Sequence, residues 1–303
     1  MTGPVAVLLP DGRRLHLQHG PIDLVVEAFG PEAAVRGAYE RAAVRFGTVL
    51  DELVAELPRL RAPLDPDGPP FRGPVARRME RAIRPHGGVF VTPMAAVAGA
   101  VADEILDAMA ERAGALERFY VNNGGDIALR LAPNATFQVG IVSRVDRPAV
   151  EMTATLQGGD GVGGVATSGW NGRSHSLGVA DAVTVLAADA ATADAAATLI
   201  ANAVDPGDDP AVRRQPARDL DPDSDLGDRP VTVAVGPLSA GAVDRALESG
   251  RRLADDLVAR GLVKGAVLCL QGRARVAGQI PEQPRVGVEF MNDIKSLEAN
   301  VHA

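Results

Sequence analysis

The chain has 303 residues, a formal net charge of −8 and a sequence pI near 5.2. Hydrophobic residues make up 46% of it, enough to bury the core of one large domain or of two fused ones, and this excludes an intrinsically disordered chain. The acidic balance and the lack of a long basic run give no electrostatic field that attracts nucleic acid, so we expect no nucleic-acid partner.

The N-terminal segment and the cysteine content bear on location. The first twenty positions, 1–20, hold only a short apolar run without a basic leader, too short for a signal peptide or a membrane span. We therefore expect a cytoplasmic protein with no membrane partner. The single cysteine, Cys269, lies in an apolar run and is predicted to be buried, which excludes an intramolecular disulfide and a cysteine zinc cluster.

The first part of the chain reads as strands followed by helices. Alternating apolar and polar residues over 4–29, with turn signals between them, predict a strand meander. Apolar residues at steps of three and four predict a long helix over 31–57, which Pro58 should end. The proline-rich segment 61–73 is predicted to be a loop, and a short basic helix should follow over 74–84.

A second long helix is predicted over 94–113. Its first half consists of small residues that allow a backbone or a ligand to approach closely, and its second half is acidic on one side, where Asp103 lies. Strands are predicted over 119–157. The glycine-rich stretch 158–164 is interpreted as a flexible turn, with a phosphate loop as the less favoured alternative because no helix follows it directly.

The C-terminal part is predicted to contain a surface crossing, a helix and strands. Residues 205–230 are polar and should cross the surface, with 224–228 as a solvated acidic loop. A long helix is predicted over 240–262, one strand over 266–277 and a further strand over 285–290. The remaining histidines are scattered along the chain and are interpreted as surface residues: His16, His19, His86 and His302.

Two helical segments are similar in composition. Residues 94–113 and 189–204 are both rich in alanine, and predicted strands flank each of them. This favours a single domain over 1–303 that contains two related halves, about 1–130 and 131–303. The small-residue helix face and the sheet edges also favour a homodimer.

The segment 167–202 holds the densest group of chemically useful side chains. Asp194 and Thr198 are four residues apart in an alanine-rich helix, so their side chains share one face. Their oxygen atoms suit Mg²⁺, which commonly takes one or two protein ligands and keeps waters and substrate phosphates. On spacing alone, a solvated helix face is the alternative. His175 suits a general base, with a hydrogen-bonding loop residue as the alternative.

Three blocks, 93–105, 121–129 and 167–204, together resemble the ApbE-like superfamily, whose best-known members are FAD:protein FMN transferases. The resemblance is closer to an uncharacterised cytoplasmic branch. It implies an α+β fold, a duplicated tunnelling-fold-like architecture with antiparallel sheets and long helices packed on them. It also implies FAD in a central cleft, with Mg²⁺ bridging the diphosphate.

The resemblance assigns roles by position. It makes Asp194 and Thr198 metal ligands and matches His175, the candidate catalytic base, to the histidine of the family's Ser-His pair. The residues that would contact the cofactor or wall its site are Gly99, Ala100, Gly124, Gly125, Asp126, Thr167, Ser168, Gly169, Trp170, His175 and Asp181. Trp170 would stack on a flat ring or pack in the core, and Asp181 would either cap a turn or face the site.

Two departures from the transferases leave the reaction open. Asp103 stands where the transferases carry a lysine, and after Ser176 the chain lacks their Ile-Ile-Asp-Pro-Arg-Thr-Gly segment. The expected function is binding of a flavin or another flat heterocyclic, nucleotide-like ligand, as a Mg²⁺-dependent FMN transferase or a FAD diphosphate-cleaving enzyme. The alternatives are a non-catalytic ligand-binding protein and a ring-modifying enzyme for a small heterocyclic acid, with Arg173 binding its carboxylate.

Overall fold

The backbone alternates pairs of strands with long helices. The computed structural model describes residues 3–65, 67–111, 114, 116–146, 150–284 and 289–290. The strands are β1 Val5–Leu8, β2 Leu15–His19, β3 Ile22–Phe29, β4 Arg118–Asn123, β5 Asp126–Leu131, β6 Thr136–Val142, β7 Val150–Gln157, β8 Gly164–Ser168, β9 Ala182–Ala187, β10 Val212–Pro216, β11 Pro230–Val235, β12 Gly265–Leu270, β13 Arg273–Gly278, β14 Glu282–Pro284 and β15 Glu289–Phe290. The helices are α1 Glu32–Leu60, α2 Pro74–Ile83, α3 Val97–Ala110, α4 Ala190–Ala203, α5 Ala217–Leu220 and α6 Ala240–Ala259.

Within the described residues, ten strands form one sheet in the order β1-β2-β3-β4-β5-β8-β9-β12-β13-β15. All neighbours in it pair antiparallel except β13 and β15. A smaller sheet, β14-β7-β6, and the β10–β11 hairpin complete the strand pairing. The predicted α+β class, with helices packed on a large antiparallel sheet, is confirmed.

The strand order repeats along the large sheet. In the first part, β2 and β3 are followed by α1 to α3 and then by β4 and β5. In the second part, β8 and β9 are followed by α4 to α6 and then by β12 and β13. The strands of the large sheet therefore show the same ββ–helices–ββ order in both parts, while the second part has the additional β10–β11 pair between its helices. The division into halves of about 1–130 and 131–303 stays a prediction.

The apolar stripe of α1 packs on the first half of the sheet. Ala42, Phe46 and Val49 are buried there against Leu17 and Leu24. The predicted helix is confirmed, but Pro58 does not end it, because α1 continues to Leu60. Proline interrupts a helix by removing one N–H donor, and near the C-terminal end few hydrogen bonds remain to be lost.

One prediction for the C-terminal part, a single strand over 266–277, is wrong. The stretch 266–277 is a hairpin of two strands, because Gln271 and Gly272 adopt φ values of 46° and 78° and make a two-residue turn. The stretch 205–230 contains β10 and α5 as well as loops. Of the last predicted strand, 289–290 is a strand and 285–288 lies outside the described residues.

Two histidines interpreted as surface residues are buried. His19 is 7% exposed and its ring lies edge-on to Phe46, 6.4 Å between centroids. His86 is 5% exposed, and burial, together with the charge of Arg260, lowers its pKa. Each retains a ring nitrogen without a hydrogen-bond partner, Nδ1 of His19 and Nε2 of His86. His16 is half-buried and contacts Asp23 at 3.1 Å; His302 lies outside the described residues.

Helices α3 and α4 pack closely at their N-terminal turns. A Cβ at Gly99 would lie 2.1 Å from the carbonyl oxygen of Ala190, so only glycine fits there. The carboxylate of Asp103 accepts hydrogen bonds from the backbone N–H groups of Ala190 at 3.0 Å and Ala191 at 2.9 Å. Asp103 is 6% exposed, so this residue from the acidic side of the predicted helix is buried in the contact with α4. Its charge is directed at the first turn of α4 and not at a ligand.

The structure also agrees with the predictions for Cys269 and for the Gly124–Gly125 turn. Cys269 is buried, as expected. The stretch Gly124–Gly125 forms a two-residue turn between β4 and β5 with φ values of 67° and 115°, as the Gly-Gly-Asp motif predicts. In the part of the chain that the structure describes, no helix is both long and apolar enough to span a bilayer.

Candidate active site

A cleft with two compartments lies where α1, α3 and α4 meet the middle of the large sheet. The apolar compartment has a volume of about 630 Å³. Its walls come from the last turns of α1 and the first turns of α3, through Leu50, Leu53, Leu57, Val97 and Val101. Flat, largely apolar groups bind well in such a space, because their burial releases water from both surfaces.

The polar compartment adjoins it and has a volume of about 330 Å³. His175 and Asn202 line it, and so do residues of the segment Asp221–Leu226, which overlaps the predicted acidic loop 224–228. Thr92 donates a hydrogen bond to Asp225 in this wall. Of the segment 224–228, predicted to be a solvated acidic loop, Ser224 and Asp225 help to form this wall of the cleft.

Nine residues line both compartments and define what we call the junction. They are Arg61, Met94, Val97, Ala98, Asp126, Arg173, Ser174, Asp194 and Thr198. The polar side chains of the cleft converge here, between a space that suits a ring and a space that suits polar groups.

Asp194 lies in the second turn of α4. Its Oδ2 accepts a hydrogen bond from the backbone N–H of Gly99 at 3.0 Å, which joins α4 to the first turn of α3. Burial raises the pKa of Asp194 well above its ordinary value, and the nearby charge of Asp126 raises it further. Hydrogen bonds from the backbone of Gly99 and Ala98 act in the opposite direction.

Asp126 is the first residue of β5 and follows the Gly124–Gly125 turn. Its carboxylate accepts a hydrogen bond from the backbone of Thr167, but burial dominates and raises the pKa of Asp126 to about 7. The turn is fixed from behind, because Asn122 accepts a hydrogen bond from the N–H of Gly125 at 2.9 Å. Two carboxyl groups therefore face the same junction from different elements, and a cation would relieve their repulsion.

Thr198 lies one turn after Asp194 on α4. Both side chains line the junction, so the shared helix face that the spacing predicts is present. Among the described residues, no group of three or more His, Cys, Asp or Glu side chains is placed to hold a metal ion. Two carboxylates and a hydroxyl nevertheless provide hard oxygen donors of the kind that Mg²⁺ takes together with waters and phosphates.

His175 lines the polar compartment and is absent from the lining of the apolar one. The segment after it is held firmly. Asn202, at the end of α4, accepts hydrogen bonds from the Ser176 hydroxyl at 3.1 Å and from the N–H of Leu177 at 2.9 Å. The loop that carries His175 is thus attached to the same helix that carries Asp194.

The remaining predicted ligand residues divide into two groups. Gly124, Thr167, Ser168 and Gly169 line the apolar compartment. The others lie outside the lining of both compartments: Gly99, Ala100, Gly125, Trp170 and Asp181.

Of the second group, Trp170 and Asp181 contact each other. The indole Nε1 of Trp170 donates to Asp181 Oδ1 at 3.4 Å, and Asp181 Oδ2 accepts from the backbone N–H of Gln271 at 2.6 Å. Burial raises the pKa of Asp181, while this N–H bond lowers it. Asp181 thus holds the β12–β13 turn. Of the two roles expected for it, capping a turn and facing the ligand site, the structure shows the first.

Arg61 is a cleft residue that the sequence did not indicate. It stands directly after α1, beside a proline-rich loop, and it lines both compartments. The only sequence signal was its position at the end of a helix whose apolar stripe continues into the cleft.

The family of the chain is shown by comparison with known proteins. A family model described as "AbpE bacteria" matches residues 6–276. The chain belongs to this family. The resemblance to the ApbE-like superfamily is confirmed by this match.

Curated proteins similar to this chain match about half of it. A UPF0280 protein from Methanosphaerula palustris is 41% identical over 159 residues, 52% of this chain and 64% of that protein. One from Methanopyrus kandleri is 45% identical over 143 residues, 46% of this chain and 54% of that protein. One from Methanosarcina acetivorans is 35% identical over 183 residues, 60% of this chain and 69% of that protein. The chain spans about half to two thirds of the length of these curated relatives.

Two solved structures are similar over most of their length. The ApbE protein from Thermotoga maritima has a TM-score of 0.46 and 14% identity, covering 93% of this chain and 96% of that chain. The apo form of the flavinyl transferase ApbE from Pseudomonas stutzeri has a TM-score of 0.44 and 13% identity, covering 94% of this chain and 96% of that chain.

Proposed function

We propose that this protein binds FAD in the two-compartment cleft and, with Mg²⁺, cleaves its diphosphate as an FMN transferase. The observation that carries the proposal is the junction, where Asp126, Asp194 and Thr198 meet between an apolar and a polar compartment. The isoalloxazine ring would occupy the apolar compartment, and the diphosphate would lie at the junction. Membership of the family supports the same assignment.

The junction fits a magnesium ion by its donor chemistry. Asp194 and Thr198 supply a carboxylate and a hydroxyl from one helix face, and Asp126 supplies a second carboxylate from β5. When bound, Mg²⁺ would neutralise charge on the diphosphate oxygens. The two carboxylates would then need no other cation to offset their repulsion.

His175 is the candidate base for the transfer. It lies in the polar compartment next to the junction, where an acceptor hydroxyl could approach the diphosphate. In the proposed reaction His175 takes the hydroxyl proton and the hydroxyl oxygen bonds to the phosphorus of the FMN half. The bond from that phosphorus to the bridging oxygen then breaks, and AMP leaves.

The test is incubation of the purified protein with FAD and a peptide that contains threonine and serine as hydroxyl acceptors, with and without Mg²⁺, followed by chromatography of the nucleotides. Metal-dependent formation of AMP is expected, and Asp194→Asn should abolish it. Asp208→Asn is the matched control, because Asp208 is an exposed loop carboxylate outside the lining of both compartments. Return of intact FAD after tight binding would contradict catalysis and leave a ligand-binding protein; absence of FAD binding would contradict the whole assignment.

A further inference from the structure

Two arginines face the junction without a protein partner. Among the described residues, no hydrogen bond or ion pair involves the guanidinium group of Arg61 or that of Arg173, although both side chains line the cleft. Several arginines elsewhere in the described chain are paired with carboxylates, as Arg45 is with Glu52 and Glu104, and others are unpaired on the surface. An unpaired arginine on an open surface is ordinary, but two from distant segments that meet at one cleft form a binding arrangement.

The charge distribution of the cleft makes these two arginines distinctive. In the described lining of both compartments they are the only arginines, and no lysine accompanies them. Asp126 and Asp194 line the same junction, yet neither forms an ion pair with Arg61 or Arg173 within the described part of the chain. The guanidinium groups therefore remain available to an anion that enters the cleft.

Arg173 is placed by a glycine of the neighbouring turn. Its Nη1 would lie 3.1 Å from a Cβ at Gly124, closer than an ordinary van der Waals contact. The backbone of Gly124 also has a φ of 67°, which side chains rarely adopt. Gly124 thus serves the site in a second way, because it leaves room for the Arg173 guanidinium over the turn that carries Asp126.

We propose that Arg61 and Arg173 form an anion clamp that binds a phosphate or carboxylate group attached to a flat heterocycle. The ring lies in the apolar compartment, and the anionic group lies at the junction between the two guanidinium groups. Two guanidinium forks can bind an oxyanion through several charge-assisted hydrogen bonds at once. The inference rests on the cleft of the proposed function, but it does not require metal binding or catalysis.

The test compares ligands that differ only in the anionic group. The affinities of FMN against riboflavin, and of nicotinate against nicotinamide, are measured by calorimetry on the wild-type chain without Mg²⁺. The measurements are repeated on Arg61→Gln, Arg173→Gln and the control Arg245→Gln. Arg245 is exposed on α6 outside the cleft, so the control has the same change of net charge.

The clamp predicts that the wild type prefers the anionic member of at least one pair. Arg61→Gln and Arg173→Gln should each reduce that preference about tenfold, a typical loss for one charge-assisted hydrogen bond, while Arg245→Gln retains it. A preference for FMN identifies phosphate as the anion; a preference for nicotinate alone supports the clamp and contradicts the flavin assignment.

Two results would overturn the clamp. One is a preference for an anionic ligand that survives both cleft substitutions, which would leave the flavin proposal standing. The other is equal affinity of the wild type for the two members of each ligand pair, which would show that the cleft does not distinguish an anionic ligand from a neutral one.

Discussion

Helices α3 and α4 each present a carboxylate of the second turn to the first turn of the other helix. Asp103 of α3 accepts hydrogen bonds from the N–H groups of Ala190 and Ala191, and Asp194 of α4 accepts one from Gly99. A carboxylate suits this place, because the exposed N–H groups of a first turn carry partial positive charge. The two contacts are built alike.

Their surroundings differ. Asp103 is 6% exposed, and its two oxygens are both engaged by the backbone of α4. Asp194 lines the cleft, beside Asp126 and Thr198. The same helix-end contact is therefore purely structural at one end and part of the candidate active site at the other. The two contacts differ because Asp194 has a second carboxylate, Asp126, beside it and faces the open cleft. The sequence pattern of a helix reveals neither feature.

The largest expected effect is on FAD cleavage, and it should distinguish Asp194 from Asp103. Asp194→Asn should reduce Mg²⁺-dependent FAD cleavage about 100-fold or more, because it removes a charged ligand from the junction. Asp103→Asn should leave FAD binding unchanged, since Asp103 lies outside the lining of the cleft. Nucleotide chromatography and calorimetry on both variants measure the difference. Equal losses in the two variants would show that the two carboxylates do not differ in function.

The second prediction concerns the close approach on which both contacts depend. Gly99→Ala places a Cβ 2.1 Å from the Ala190 carbonyl oxygen, so the helices must separate and the free energy of unfolding should fall by about 3 kcal/mol. Urea denaturation followed by circular dichroism measures it. Gly47→Ala is the matched control, because nothing lies within 4 Å of that Cβ in α1, and it should stabilise by about 0.5–1 kcal/mol. A Gly99→Ala protein as stable as wild type would refute the tight contact.

The third prediction uses the pH dependence of the structural contact. Burial raises the pKa of Asp103 from 3.8 to about 7, against the effect of the two backbone hydrogen bonds. The native state therefore holds a proton that the unfolded state releases near pH 4, and stability should fall as pH rises from about 4 to about 7 and then level off.

Asp103→Asn removes this titration. It should reduce the slope of unfolding free energy against pH, with a difference of roughly 4 kcal/mol between wild type and variant across the window. Urea midpoints at several pH values measure the slope for wild type and variant. A slope that is the same in both proteins would show that Asp103 does not titrate in this range.

The smallest expected effect concerns the hydroxyl beside Asp194. Thr198→Val preserves shape and removes one oxygen donor from the junction, so FAD cleavage at limiting Mg²⁺ should fall about tenfold and recover partly at high Mg²⁺. Thr192→Val, on the first turn of the same helix and outside the cleft lining, should have no such effect. Loss of activity that excess Mg²⁺ does not relieve would argue against a metal ligand.

Periodic and local features of this fold were predictable from the sequence. The stripe of α1 and the turn at Gly124 depend on neighbouring residues, and the pairing of Asp194 with Thr198 on one face follows from helix geometry. Membership of the family could also be inferred, because the motifs are contiguous blocks.

Features set by distant contacts were not predictable. Asp103 looks solvated beside Glu104 and Asp107, and only the packing of α4 against α3 buries it. Arg61 enters the cleft because α1 runs past its proline, and Trp170 turns away because Asp181 accepts its N–H. Each outcome depends on an element far away along the chain, about which local spacing carries no information.

The two parts of the large sheet meet where β5 pairs with β8, a contact that we call the seam. The seam has a consequence for folding. Strands β5 and β8 pair only at Ile127 with Val165 and at Ala128 with Gly164, whereas β4 with β5 and β8 with β9 pair over five or six positions. Each part can therefore form its own sheet from contacts that are close along the chain, and the seam should close last. Because the cleft takes residues from both sides of the seam, a ligand bound there would slow the separation of the two parts, and native-state hydrogen exchange of the seam amides would report its occupancy.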